Sequence, residues 1–337
     1  MNQFEHGGGV EGFAEELGCK VEEIIDLSSN INFIKPTLNM DFNELDISAY
    51  PTYTKLYESI SSNYQVNTTE CELFNGGSSA IFSLFRFLKL THCTIYSPAY
   101  LEYKKAATLF SYKISHINRL NILNQIVEKE SFIIFVNPST PDGKLYDINE
   151  LMKYWMSQNC TILIDESFLD FTNGVSMSPY LKQYDKLYIL KSMTKFYSSA
   201  GIRVGTLLSN ENNIAELKKT EPMWKLSHFD SSYLQEALKD KSFKAISKSI
   251  NAKNTVYLQK ILEKSSLFSV VYESNANFIL AKLKNMKAKQ FQEKLKTYKI
   301  MVRNCENFDF LDDSYVRIAV KSEKNLKHFH EALVSIS

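Results

Sequence analysis

Between about residues 70 and 210, short apolar runs of β type alternate with helical patterns, and this alternation leaves few folds open. Strand, helix and strand in succession build βαβ units, whose strands lie parallel and need cover on both faces. The runs 94–97, 111–117, 132–136, 161–164, 186–190 and 204–209 read as strands. Between them, 79–88, 101–109 and 148–156 carry apolar residues near i, i+3 and i+4, the helical spacing. The expected fold class is therefore α/β, with a large, mostly parallel sheet. After Pro222 the pattern changes to lysine-rich helical stretches at 231–238 and 243–264. Short strands at 268–272, 277–281, 301–303 and 315–320 follow, and a helix at 323–334 closes the chain, which reads as a smaller α+β domain. At 337 residues the chain exceeds one typical domain. The expected division is an N-terminal arm at 1–39 that joins the small domain, a large domain at 40–230 and the small domain at 231–337.

A net charge of +1 gives no electrostatic design for nucleic acid or a membrane surface, so the expected partner is a small molecule. Five scattered cysteines without a Cys-x-x-Cys pair suit a reducing compartment and offer no zinc or disulfide framework, so no metal is expected. The first residues lack a basic then apolar signal segment, and no apolar run approaches the ~20 residues that span a bilayer; the expected location is cytoplasmic.

The chemistry concentrates in the loops. Lys195 lies in Lys191-Ser192-Met193-Thr194-Lys195-Phe196-Tyr197, with Arg203 eight residues on and Asp165 upstream. A lysine that binds an aldehyde cofactor must sit beside groups that hold the cofactor's phosphate, and an acid must face its pyridine nitrogen. Ser192 offers a hydroxyl and Arg203 a planar fork of donors for a phosphate. Asp165 ends an apolar run, where a buried carboxylate needs a positive partner; it can equally cap the turn that follows. Asn75-Gly76-Gly77-Ser78-Ser79 precedes a helix, so Gly77 and Ser78 can present main-chain N–H groups to an anion, or Ser78 can serve as a cap. Tyr100 can stack on a cofactor ring or fill the core. Thr140, in the turn Asn137 to Gly143, can reach a ring oxygen. The cofactor this set requires is pyridoxal 5′-phosphate, which would make 40–230 its binding domain.

These residues resemble those of the fold-type-I pyridoxal-phosphate enzymes, in the branch of histidinol-phosphate aminotransferases and threonine-phosphate decarboxylases. The resemblance extends to His6-Gly7-Gly8, Ser28-Ser29-Asn30-Ile31-Asn32, Tyr50-Pro51, Val302-Arg303 and Arg317-Ile318-Ala319. His-Gly-Gly, Ile31 between two asparagines, and Phe168 where aminotransferases generally carry tyrosine look more like the decarboxylase. The resemblance implies a decarboxylase of an amino-acid O-phosphate, either O-phosphothreonine or O-phosphoserine, that serves the cobalamin nucleotide loop. The alternative is an aminotransferase for histidinol phosphate or aromatic amino acids. It further implies that Arg317 takes the substrate carboxylate, that Arg303, His6 and Asn32 fix carboxylate and phosphate, and that Tyr50 reaches the cofactor of the neighbouring subunit in a homodimer with shared active sites. Two positions depart from the family's Asn-Pro-Thr-Gly: Thr140 replaces the asparagine and Asp142 the threonine. With Phe168 unable to donate, Thr140 is expected to make the only side-chain bond to the ring's 3′ oxygen.

Overall fold

A computed structural model describes residues 7–337. Its strands are β1 (Ile25–Leu27), β2 (Cys71–Phe74), β3 (His92–Ser97), β4 (Lys113–Asn118), β5 (Phe132–Val136), β6 (Thr161–Asp165), β7 (Leu187–Ser192), β8 (Gly205–Leu208), β9 (Phe268–Val271), β10 (Phe278–Leu283), β11 (Ile300–Asn304) and β12 (Tyr315–Ala319). Among the described residues they form a seven-stranded sheet in the order β2-β8-β7-β6-β5-β3-β4 and a five-stranded sheet in the order β1-β11-β12-β10-β9. In the larger sheet only β8 is reversed, running antiparallel to β2 and β7. The other neighbours are parallel.

The unbroken apolar run of β5 follows from burial on both faces. Phe132, Ile134 and Val136 enter one core with the helices Gly76–Leu88 and Leu101–Leu109. Ile133 and Phe135 enter another, against Trp155 and Met152 of the helix Asn149–Ser157. Alternate side chains of a strand point to opposite faces, so a strand covered twice reads as continuously hydrophobic.

The smaller sheet uses the same rule to a different end. Val302, Val316 and Ile318 face a core built with the helices Lys241–Lys264, Ala288–Lys296 and Glu323–Ile336. Arg303 and Arg317, adjacent to these in sequence, therefore project from the opposite face, toward the larger sheet. The strand β1, from the N-terminal segment, extends this sheet by parallel pairing with β11.

The expected strand at 111–117 begins later, at Lys113. Ser111 has φ +60°, and the Ser111 and Tyr112 N–H groups donate to Thr108 and Ala107, so these residues close the preceding helix instead. Glu72 interrupts the apolar pattern of β2, which the sequence pattern does not reveal. It is buried there with Lys225 in contact and Lys218 at 3.4 Å. The helices Val10–Leu17, Thr54–Tyr64 and Glu211–Lys218 were also not among the sequence expectations, whereas Ala288–Lys296 falls in the Lys/Glu-rich stretch 284–298 that reads as a solvated helix face.

Phe132 is fully buried and edge-on to Phe85 at 5.0 Å. Phe132→Ala should cost about 3–5 kcal/mol of stability. A urea denaturation midpoint equal to that of the wild type would refute this assignment of the core.

Candidate active site

Register brings the chemistry to one edge of the large sheet. Val136, Asp165 and Leu190 are aligned partners at the carboxyl ends of β5, β6 and β7. The turn carrying Thr140, the carboxylate of Asp165 and the segment Ser192 to Lys195 therefore emerge side by side, where open α/β sheets bind ligands. They line a cavity of about 400 Å³, together with Gly77, Ser78, Tyr100, Phe168, Arg203, Arg303 and Arg317.

Lys195 stands on the short helix Met193–Phe196, its Nζ 6.0 Å from the centroid of the Tyr100 ring. Burial pulls its ammonium below the ordinary lysine range; Asp165 opposes this, while Arg203 and Arg317 add to it. The amine is therefore easier to deprotonate, and so to use as a nucleophile, than an exposed lysine.

Asp165 is 5% exposed. Its Oδ1 accepts from the Ser167 N–H at 2.8 Å and from the Ser167 hydroxyl, and its Oδ2 accepts from the Tyr103 hydroxyl at 2.6 Å. Burial nonetheless raises its carboxyl above the usual range, with the Ser167 and Tyr103 bonds opposing. A cationic ring nitrogen in the cavity would complete the charge balance.

The other end of the cavity suits a phosphate. The helix Gly76–Leu88 begins without a side-chain cap, which leaves its first N–H groups to the cavity. Gly76 has φ +79°, and a Cβ there would lie 2.4 Å from Arg203 Nη2. A Cβ on Gly205 would lie 2.7 Å from the Gly77 nitrogen. The absent side chains let the reversed strand β8 and the Arg203 guanidinium close on the helix start. Ser192 lies against Gly77, and the Ser78 hydroxyl is 3.1 Å from that of Tyr100.

At the opposite end, Arg317 is 7% exposed; its Nη1 donates to Thr140 Oγ1 at 2.6 Å and its Nη2 to the Ser28 carbonyl at 2.7 Å. Burial pulls this guanidinium down to about 10, still protonated at neutral pH. Arg303 is its direct cross-strand partner, and its Nη2 donates to Asn307 Oδ1 at 2.8 Å.

Not every expected residue lies here. Asn32 is 2% exposed and does not line the cavity; its Nδ2 donates to the Phe196 carbonyl at 2.8 Å and to Ser247 Oγ at 2.6 Å. Its main-chain N–H donates to the Lys195 carbonyl at 3.0 Å, so it braces the lysine turn instead of meeting substrate. Asn30 takes the position expected of it, 7% exposed at the cavity with its Oδ1 buried and unpartnered. Both asparagines of Asn-Ile-Asn look alike in sequence, and only the contact with the lysine turn separates them. Tyr50, expected at the neighbouring subunit's site rather than this one, is 72% exposed and stacked on Trp224 at 4.1 Å, outside this cavity. His6 lies outside the described residues. Tyr103 and Ser167 escaped sequence reasoning; the spacing from Tyr100 to Tyr103, one helical turn, is the signal that marks Tyr103.

The profile of the family described as aminotransferase class I and II matches residues 46–333. The chain is 30% identical to the adenosylcobalamin biosynthesis bifunctional protein CobDQ of Leptospira interrogans over all of its own length, and spans 41% of that longer protein. It is 24% identical to the threonine-phosphate decarboxylase of Salmonella typhimurium, over 98% of this chain and 96% of that one. Among solved structures, the histidinol-phosphate aminotransferase from Clostridium acetobutylicum superposes with a TM-score of 0.84 at 29% identity, covering 93% of this chain and 99% of that one.

Two measurements test this geometry. Gly76→Ala should weaken retention of added pyridoxal phosphate at least about tenfold, because the methyl meets Arg203 and the backbone is strained; unchanged affinity in an absorbance titration would contradict the close approach. In cofactor-free protein, Lys195→Met should raise the melting temperature at neutral pH. Because the folded-state pKa of Lys195 is lowered, its penalty is complete below that value and vanishes as pH rises toward that of an unfolded lysine. A stability gain that grows with pH would invert this assignment.

Proposed function

This chain belongs to the aminotransferase class I and II family, whose cofactor is pyridoxal 5′-phosphate, and we propose that it decarboxylates an amino-acid O-phosphate. The observation that carries the reading is the pair Arg303 and Arg317, directly opposed on β11 and β12 and both buried at one end of the cavity. Like charges facing each other across a sheet destabilise it unless an anion lies between them. An amino acid with a second, phosphate anion matches two such cations. Likeness to a threonine-phosphate decarboxylase and to a bifunctional adenosylcobalamin protein supports the same substrate class and a product destined for the cobalamin nucleotide loop.

When bound, the cofactor supplies an aldehyde for the substrate amine and an electron sink for the bond broken at Cα. The residues that would hold it are present: the uncapped helix start at Gly76 and Gly77, with Ser78, Ser192 and Arg203, for its phosphate; Asp165 for its ring nitrogen; Tyr100 for its ring face; Thr140 for its 3′ oxygen. Thr140 accepts from Arg317, so its own hydroxyl proton is left to donate. Phe168, edge-on to Phe278 at 5.0 Å, offers no donor there.

Arg317 orients the substrate carboxylate, with its guanidinium fixed by Thr140 and Ser28. Arg303 and Asn30 meet the phosphate, and Lys195 Nζ, which takes a proton from the substrate's ammonium, delivers it to Cα after carbon dioxide leaves. Tyr50, exposed beside Trp224, reaches the phosphate end of the neighbouring site in a homodimer. Amino transfer is the second reading, favoured by the likeness to a histidinol-phosphate aminotransferase at 29% identity.

The purified protein with pyridoxal phosphate should release carbon dioxide from O-phosphothreonine or O-phosphoserine, and Lys195→Ala should abolish the release. One methyl distinguishes these substrates, which corresponds to roughly 10–200-fold in kcat/KM. Asn30→Ala should raise KM with little change in kcat. Consumption of a 2-oxo acid with no carbon dioxide would replace this reading with the second.

A further inference from the structure

We infer that Arg119 and Asp142 form a buried positioning pair that sets Thr140, and through it Arg317, at the substrate end of the cavity. The inference rests on the reading of Arg317 as the residue that binds the substrate's anion, a carboxylate or, in histidinol phosphate, the phosphate. Arg119 follows β4 and its side chain has no exposure. Its guanidinium lies between the rings of Phe135, at 4.4 Å, and Tyr146, at 4.6 Å. Its Nε is 3.7 Å from Asp142 Oδ2, which also accepts from the Tyr146 hydroxyl at 3.0 Å. None of the three guanidinium nitrogens has a well-formed hydrogen bond among the described residues, nor does Asp142 Oδ1.

A buried pair with so little hydrogen bonding contributes little stability, since its Coulomb attraction must first offset the desolvation of both ions. What it does provide is location. Asp142 lies inside a turn closed by the Gly143 N–H donating to the Ser139 carbonyl at 2.7 Å, and this turn contains Thr140. One side of the turn is fixed to the large sheet through Arg119 and through Asn137, whose amide exchanges two hydrogen bonds with the main chain of Tyr146. The other side is held by the N–H groups of Asn275 and Ala276, both donating to the Gly143 carbonyl. Thr140 Oγ1 then meets Arg317 Nη1 at 2.6 Å. The aspartate that departs from the family's threonine thus has a partner, and the threonine that departs from its asparagine is the group this partnership places.

The test compares PLP-loaded wild type, Asp142→Asn, Arg119→Met and the double variant. Binding of O-phosphothreonine, O-phosphoserine, histidinol phosphate or L-phenylalanine, whichever the wild type binds most tightly, is read from the visible absorption of the bound cofactor. Each single variant should bind that ligand roughly ten- to a hundredfold more weakly, as expected when a positioned group is displaced by about 1 Å. Adding Thr140→Ala to Asp142→Asn should cause little further loss, because both act on one contact. Where a single variant does not fold, the double variant, which leaves no orphaned charge, is read by the same criterion. Ligand affinity within about twofold of wild type, at full cofactor occupancy, overturns the inference even if the melting temperature falls, as does a fully additive loss with Thr140→Ala. Absence of carbon dioxide from the wild type would instead sink the decarboxylase reading and leave this comparison intact.

Discussion

The parallel register of β5, β6 and β7 is the constraint from which the site follows. Aligning Val136, Asp165 and Leu190 leaves three loops no choice but to leave the sheet together. One brings a threonine, one a carboxylate and one a lysine, and each strand is anchored by side chains buried on both faces. The reversed strand β8 completes the arrangement. Its Gly205 abuts Gly76 and Gly77, so Arg203 just before it arrives at the helix start, where its main-chain N–H donates to Asp230 and its Nη1 to the Ala200 carbonyl.

Opposing electrostatic demands divide the cavity. At the lysine end, burial makes Lys195 easier to deprotonate and Asp165 harder to ionise, with hydrogen bonds from Ser167 and Tyr103 resisting the second effect. At the substrate end, Arg303 and Arg317 repel each other across adjacent strands, and burial weakens the hold of Arg317 on its proton. A ligand with a cationic ring at one end and anions at the other relieves both strains.

Much of this was legible in the sequence because it depends on local pattern. The β-type runs, the glycines before a helix, and Asp165 at the end of an apolar strand are all visible without tertiary information. Asn30 and Asn32 could not be told apart, because their difference is a contact between residue 32 and the lysine turn more than 160 residues away. Tyr103 looked like one more apolar helix position, since its hydroxyl finds Asp165 only after the helix docks on the sheet. Glu72 disguised β2 for the same reason, as its lysine partners come from distant segments.

The segment 28–32 has a consequence for the order in which the site can be assembled. Its carbonyls at Ser28, Asn30 and Ile31 accept from Arg317, Asn277 and Lys321, while Asn32 is bonded to the lysine turn. The phosphate end of the cavity draws on residues 76 to 205, all of them synthesised well before Arg317. The substrate end needs residues near both termini, so it closes only after Arg317 has emerged. The substrate end is therefore the last part of the site that synthesis completes.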